Sequence, residues 1–449
     1  PELDYDFDQL PDGKEYAKKM QSHQSTTQET IAGVMQANKC IECGFCERNC
    51  LTCGLTLSSR TRIVAQREIS HLKHSGNAED RAHAERLEQQ YHYYGNQTCA
   101  ADGLCATSCP MKINTGHLTH LLRQINSNKS KIEYAIGDLT AKHMPECETA
   151  VKGLLTAAHL AHTVIGTKAM SAICETANKA GLPLWTPAMP KPNHINKKKL
   201  AGRNTIVETA RKDKDEDLKV VYFPSCLNQT MGVAKGAPIK QTVSQEICKV
   251  LNRAGYEVIF PDKMNKLCCG QIWESKGMMD IADRKTAELE AALWEASQEG
   301  RYPILCDQSP CLHRMRKMIT RMKLYEPVEF MLKFVQQRLT FNQLDRTVAV
   351  DITCSMREMG LGTELINLAE KCATKVIVPE GVGCCGFAGD KGFNRPEMNR
   401  YALRHLKPEI EKHHAVYGYS NSRTCEIGLQ YHSGIPYMSI VYLVDEATR

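Results

Sequence analysis

Apolar residues after position 217 come in short blocks rather than at helical spacing. Residues 220–224 read VVYFP and residues 258–261 read VIFP, and helical stretches such as 241–254 lie between and after them. Alternation of this kind predicts βα units and a mostly parallel sheet. It occurs twice, over 218–345 and over 346–449. Upstream the pattern is helical. Residues 14–39 predict a polar helix. Residues 61–94 are rich in Arg, Glu, His and Ala, with Ile63, Ile69, Leu72 and Leu87 as sparse apolar marks; they predict a helical connection. Residues 149–174 differ, because Lys152 and Lys168 are their only formal charges and Leu154, Leu155, Leu160, Val164 and Ile165 surround most of the helix. A Pro-rich passage, LPLWTPAMPKPNH, follows, then Lys197, Lys198 and Lys199, and no acid occurs between Glu175 and Glu208. The expected division is a helical module at 1–145, a basic connector at 146–217, and two α/β units at 218–345 and 346–449.

Composition narrows the class. A chain of 449 residues has room for about three domains. Hydrophobic content of 42% and charged content of 24% suit an ordinary globular protein. The net charge of +6 is too mild to argue for a nucleic-acid partner. The 21 cysteines fall in close-spaced groups, a pattern of metal ligation in a reducing, cytoplasmic compartment rather than of disulfides. The first fifteen residues are acidic and polar, unlike a signal peptide. Pro1 fits either a natural start after Met removal or a cut in a longer chain.

The candidate chemistry begins at KCIECGFCERNC, which carries Cys40, Cys43, Cys46 and Cys50. One loop of this spacing can wrap a cube of iron and sulfide, whereas a zinc site usually takes one C-x2-C pair from each of two loops. A second run, CAADGLCATSCP, carries Cys99, Cys105 and Cys109. In two-cluster ferredoxins the fourth cysteine of each run binds the other run's cluster. Cluster 1 is therefore expected on Cys40, Cys43, Cys46 and Cys109, and cluster 2 on Cys50, Cys99, Cys105 and one more ligand. Asp102 stands where the spacing calls for a cysteine. Carboxylate is a harder ligand that holds iron more weakly. The second site is thus Asp102-ligated, or [3Fe–4S], or completed by Cys53; alternatively Asp102 simply caps the next turn.

Each α/β unit has its own cysteine set. The first has Cys226, the adjacent pair Cys268 and Cys269 before Gly270, Cys306 and Cys311; the second has Cys354, the pair Cys384 and Cys385 before Gly386, and Cys425. The CC pairs lie 116 residues apart, as do Cys306 and Ser422, which predicts an internal duplication with Ser422 where a further cysteine would sit. Adjacent thiols diverge along a strand but can converge on a loop at a strand's carboxyl end. A further cluster is expected in the first unit; for the second, zinc or an empty thiol site competes with a cluster. Cys147, Cys174, Cys248 and Cys372 stand alone and read as core. The glycines of GVGCCGFAGDKG are read as relieving crowding around a metal-bearing loop rather than as a phosphate site.

With KCIECGFC, QTCAADGLCATSCPMKINTG and two CCG units on the page, the chain resembles the iron–sulfur half of bacterial FAD-linked D-lactate dehydrogenases. It is also similar to the iron–sulfur subunits of glycolate oxidase and anaerobic glycerol-3-phosphate dehydrogenase, and its CCG units resemble those of heterodisulfide reductase. The resemblance runs from about residue 38 to the end. It implies an α-helical two-cluster ferredoxin module followed by two tandem, duplicated α/β CCG domains. It also implies electron transfer from FAD on a partner dehydrogenase subunit or domain toward quinone or another membrane acceptor. The flavin domain expected before the first cysteine run is missing from the sequence, Leu51 replaces the usual Pro after Cys50, Cys53 is an added thiol, and the CCG units depart from a C-x2-C ending. Two rivals stand beside this reading. One makes the CCG half a heterodisulfide-reductase-like catalytic disulfide or quinone reductase; the other makes it a zinc-stabilised docking module. The apolar helix at 149–174, Trp185 and the basic segment after it allow peripheral attachment to the inner face of the cytoplasmic membrane.

Overall fold

The computed structural model describes Ala37, residues 39–200 and residues 218–449. Apart from Ala37 and Lys39, the polar helix read at 14–39 lies outside these residues, as does the end of the basic connector.

The helical region opens with α1 (Ser59–His74) and α2 (Ala78–Tyr91), packed as a hairpin. Each begins where a polar side chain satisfies an orphan amide. Thr61 N donates to Ser58 Oγ at 3.2 Å, and Glu79 N donates to Asn77 Oδ1 at 3.0 Å. Ile63, Ile69 and Leu72 turn inward, as the sparse apolar marks predict. Helices α3 (Thr115–Lys129) and α4 (Lys131–Lys142) follow, then α5 (Met144–Lys179), which is broken at Gly166 by a φ of 75°. Leu155, His162 and Met170 on α5 are buried, whereas Leu154, Leu160, Val164 and Ile173 are exposed. Cys147 and Cys174 are only half-buried, so the expectation that all four lone cysteines are core holds for Cys248 and Cys372 alone. One face of α5 packs and the other does not, and these two thiols lie near its margin.

The first α/β unit contains β1 (Lys219–Phe223), α6 (Cys226–Thr230), α7 (Val243–Arg253), β2 (Glu257–Ile259), α8 (Met279–Ala296), β3 (Ile304–Cys306), α9 (Ser309–Met318) and β4 (Leu324–Tyr325). Its strands run parallel in the order β2-β1-β3-β4. The second contains β5 (Leu344–Val350), α10 (Cys354–Glu358), α11 (Gly362–Cys372), β6 (Ala373–Ile377), β7 (Tyr417–Tyr419), α12 (Arg423–Ser433), β8 (Tyr437–Met438) and α13 (Ile440–Ala447), with parallel order β6-β5-β7-β8. In both, the first strand lies between the second and third. The chain therefore leaves in opposite directions from neighbouring strands, which opens a crevice at their carboxyl ends.

Val220, Val221, Tyr222 and Phe223 are buried on both faces of β1, as in a covered parallel sheet. One hydrophobic core runs through both units, joining Ile247 and Leu251 of α7 to Val348 of β5, Leu365 of α11 and Val441 of α13. The helical region seats on both. Trp273 Nε1 donates to Gly137 O at 2.9 Å in the first unit, and Tyr401 OH in the second donates to Cys53 O at 2.8 Å.

Candidate iron–sulfur centres

The loop before α1 places the first thiol set. Gly44, at a φ of 79°, turns the chain into a short 3-10 helix, Phe45–Asn49, that carries Cys46. Cys40, Cys46 and Cys109 are half-buried and within each other's electrostatic reach, and Cys43 is exposed at the rim. Burial pushes the Cys40 and Cys46 thiols up. Arg67 reaches the Cys40 carbonyl at 3.0 Å but is paired with Glu42 at 2.8 Å.

The second set is deeper. Cys99 and Cys105 are buried, and Cys50 stands within reach of Cys105. Ala101 N points at Cys99 Sγ at 3.4 Å, Thr115 N at Cys105 Sγ at 3.3 Å, and Arg62 Nη1 at Cys50 Sγ at 3.5 Å. Donors aimed at sulfur suit thiolates that carry a cluster. Burial raises the Cys99 thiol, but Arg62 and Arg123, with hydrogen bonds from Thr119 and the Ala101 amide, more than reverse this and hold it below its ordinary value. Cys105 is pushed up to about 12, first by burial and then by the Asp102 charge.

Asp102 does more than one thing. Leu104 N donates to its Oδ1 at 3.2 Å, which is the capping role. Its carboxyl is also buried beside Cys384 of the second α/β unit, and Oδ2 makes no conventional hydrogen bond. Burial raises its pKa. Cys53 faces Glu47, Cys50 and Arg60 instead.

In the first unit all five expected thiols meet at the carboxyl ends of the strands. Cys226 follows β1, Cys268 and Cys269 follow β2, Cys306 ends β3, and Cys311 opens α9. Cys226 and Cys269 both donate to Cys268, which Gly270 N also approaches at 3.5 Å; these contacts hold Cys268 well below the usual thiol range. Lys285 adds positive charge, and Arg314 Nε donates to Cys269 O at 2.8 Å. Gly270 adopts a φ of 86°, and a Cβ there would lie 2.3 Å from Ala282 O.

The second unit gathers Cys354, Cys384, Cys385 and Cys425, with Cys385 and Cys425 sulfurs 3.0 Å apart. Acidic side chains lie close to these thiols, as Glu148, Asp307 and Glu326 do to Cys226 and Cys306 in the first unit. Asp102 and Glu358 lie near Cys354, and Asp351 near Cys385 and Cys425. Cys354, Cys384 and Cys385 are all raised well above the ordinary thiol value, led at Cys354 by its contact with Cys384. The glycine-rich loop serves packing. Gly386 has a φ of 72°, and a Cβ there would meet Met398 O at 2.7 Å.

The predicted register needs one correction. Phe223 pairs with Cys306 across β1 and β3, three residues before Cys226. The residue three before Cys354 is Asp351, whose amide bonds Tyr419 O, so its neighbour is Ser420. Cys311 and Cys425 are each the third residue of their helices. Ser420, bonded to Asp351 at 3.0 Å, thus occupies the place of Cys306, while Ser422 accepts from Gln308 Nε2 at 3.1 Å. The loops after the CC pairs differ by two residues, which the 116-residue spacing conceals.

Residues 36–113 match the family model for a 4Fe-4S dicluster domain, and residues 220–316 and 348–430 each match the CCG cysteine-rich domain. No curated protein matches the chain. The chain is an iron–sulfur protein of the CCG type. Its dicluster domain binds 4Fe-4S, its CCG domains carry further iron–sulfur or metal sites, and its role is electron transfer. The thiols and their N–H donors fit such groups. Among the described residues no three Cys, His, Asp or Glu side chains converge on one ion position. A cluster does not ask for that, because each thiolate binds its own iron.

Sequence reading missed Arg62, Arg123, Lys285 and Arg314. A signal existed for Arg62, which lies one heptad before Ile69 on the buried stripe of α1.

Proposed function

We propose that this chain is the iron–sulfur electron-transfer subunit or domain of a flavin-linked 2-hydroxyacid dehydrogenase of the D-lactate type. FAD on a partner dehydrogenase subunit or domain supplies electrons, and a quinone or membrane acceptor takes them. A cluster supplies one-electron storage when bound. Cys40, Cys43, Cys46 and Cys109 hold the first cluster. Cys50, Cys99 and Cys105 hold the second, with Asp102 or Cys53 completing it. The observation that carries this reading is the continuity of thiol sites across modules. Cys109 of the second run sits with the first set, Cys50 of the first run sits with the second, and Asp102 of the second set lies against Cys384. On this reading the modules divide at 145, 217 and 345. No described helix is long and apolar enough to cross a membrane, so contact with a membrane acceptor is peripheral, on the inner face of the cytoplasmic membrane.

Metal analysis of the chain prepared without air tests the reading. Two cubanes require about eight iron atoms per chain before any CCG cluster is counted. Stoichiometric zinc with little iron would overturn it. A heterodisulfide-reductase-like activity is the second reading, favoured by the fifth thiol of the first unit, because a four-thiolate cluster leaves one sulfur free for exchange chemistry.

A further inference from the structure

We propose that Arg62 and Arg123 are positioning residues that set the order of reduction of the two ferredoxin-type centres. They hold the second centre at the higher potential, so that electrons arriving at the first pass on to it. The inference rests on the two-cluster reading above.

The two centres differ in how nearby cations are compensated. Around the first, Arg67 is paired with Glu42 at 2.8 Å and Arg60 with Glu47 at 3.1 Å. Each pair is close to neutral as seen from the cluster. Around the second, Arg62 is 1% exposed. Its guanidinium donates to Gly95 O at 2.7 Å, Thr52 Oγ1 at 2.9 Å and Cys50 Sγ at 3.5 Å. Arg123 donates to Cys99 O at 2.7 Å, Asn96 O at 2.8 Å, Asn96 Oδ1 at 3.1 Å and Ser275 O at 3.1 Å. These partners are neutral carbonyls and hydroxyls, plus one sulfur. Asp102, on the same loop, and Asp390, near Arg123, oppose the two with one charge each at most, while Lys391, within reach of Cys99, adds a further cation.

A buried cation without a partner is costly. What offsets the cost here is negative charge on the Cys50 and Cys99 sulfurs, and ligation to iron supplies it. Reducing a cluster adds one further negative charge. Net charge, hydrogen bonds to sulfur and solvent exposure set its potential. Burial alone disfavours the added charge and would make the deeper centre harder to reduce. The two guanidiniums act the other way, one donating to Cys50 Sγ at 3.5 Å and the other to the Cys99 carbonyl at 2.7 Å. The layout agrees with this direction. The first centre presents exposed Cys43 to a donor, and the second touches the next thiol site through Asp102 and Cys384.

The test is a redox titration of the full chain with its clusters, followed by electron paramagnetic resonance, with Cys43→Ser marking the first centre's signal. In the wild type the second centre should be reduced first. Arg62→Gln and Arg123→Gln should each lower its reduction equilibrium by about tenfold, ~59 mV for a one-electron couple, and leave the first midpoint in place. Arg62→Lys, which keeps the charge, should restore most of the shift. If the first centre is reduced first in the wild type, or if Arg123→Gln moves both midpoints alike or neither, the proposal is wrong. Should Arg62→Gln lose iron, Arg123→Gln decides, since it meets the ligand loop through carbonyls rather than sulfur. Iron analysis before titration separates failure of the two-cluster reading from failure of this one.

Discussion

Asp102 lies between two thiol sites. Its Oδ1 caps the turn into Leu104, and its carboxyl faces Cys384 across a module boundary. Thiolate is the softer ligand and binds iron more firmly than carboxylate. Asp102→Cys should therefore make the second centre keep its iron longer in air, seen as slower bleaching of its visible absorption. If neither the spectrum nor the iron content changes, Asp102 does not ligate and capping is its role. The candidate ligand cysteines were legible because a cluster dictates their spacing along one loop. Arg62 and Arg123 were less so, since their partners are backbone carbonyls brought close only by folding. The exchange of Ser420 for Ser422 shows the same limit at a single residue. Sequence distance adds up loop lengths, whereas strand pairing ignores them.

At the scale of elements, the βα alternation was readable because each strand is an apolar block with both faces covered. What α5 does with its apolar surface was not readable, because composition is similar around the helix. The fold buries Leu155 and Met170 and leaves Leu154, at 70% exposed, and Val164, at 84%, in solvent. Trp185, which the sequence offered as a membrane anchor, stacks edge-on against His162 at 4.8 Å and so belongs to the packed side. The exposed stripe is followed by Lys179, Lys191 and Lys197 with no acid between Glu175 and Glu208. An apolar stripe beside basic residues matches an anionic bilayer surface. The chain should sediment with anionic liposomes at low salt, release at high salt, and bind less after Val164→Glu. Equal recovery from neutral and anionic vesicles at both salt levels would leave the stripe without this role.

At the scale of the molecule, the two α/β units are not independent beads, since one core passes between them and a charged seam closes its edge. Asp445 of α13 takes Lys249 and Arg253 of α7 at 2.7 Å each, and Arg449 at 2.7 Å. Glu246 lies in the same seam, 3.5 Å from Lys249. Burial and then the Asp445 charge raise Glu246 from 4.5 to about 7. Burial pushes Asp445 up, but Lys249, Arg449 and Arg253 overcome it and bring the carboxyl from 3.8 to about 2. The signs oppose. Asp445 stabilises the fold fully above pH 3.8, and this contribution fades as pH falls toward 2. Glu246 favours the fold when protonated, fully so below pH 4.5, and this contribution is lost as pH rises through 7. The seam is therefore tightest slightly above pH 4 and loosens toward neutrality. Glu246→Gln keeps the protonated shape at every pH. Between pH 5 and 8 it should lose less thermal stability than the wild type, by on the order of 1–2 kcal/mol once screening is allowed for. Glu326 and Glu426, also at about 7 chiefly through burial, remain in the variant, so its profile should be shallower rather than flat. Unfolding midpoints of the iron-loaded chain at pH 5 and 8 measure this, and parallel profiles for variant and wild type would remove Glu246 from the seam's pH response.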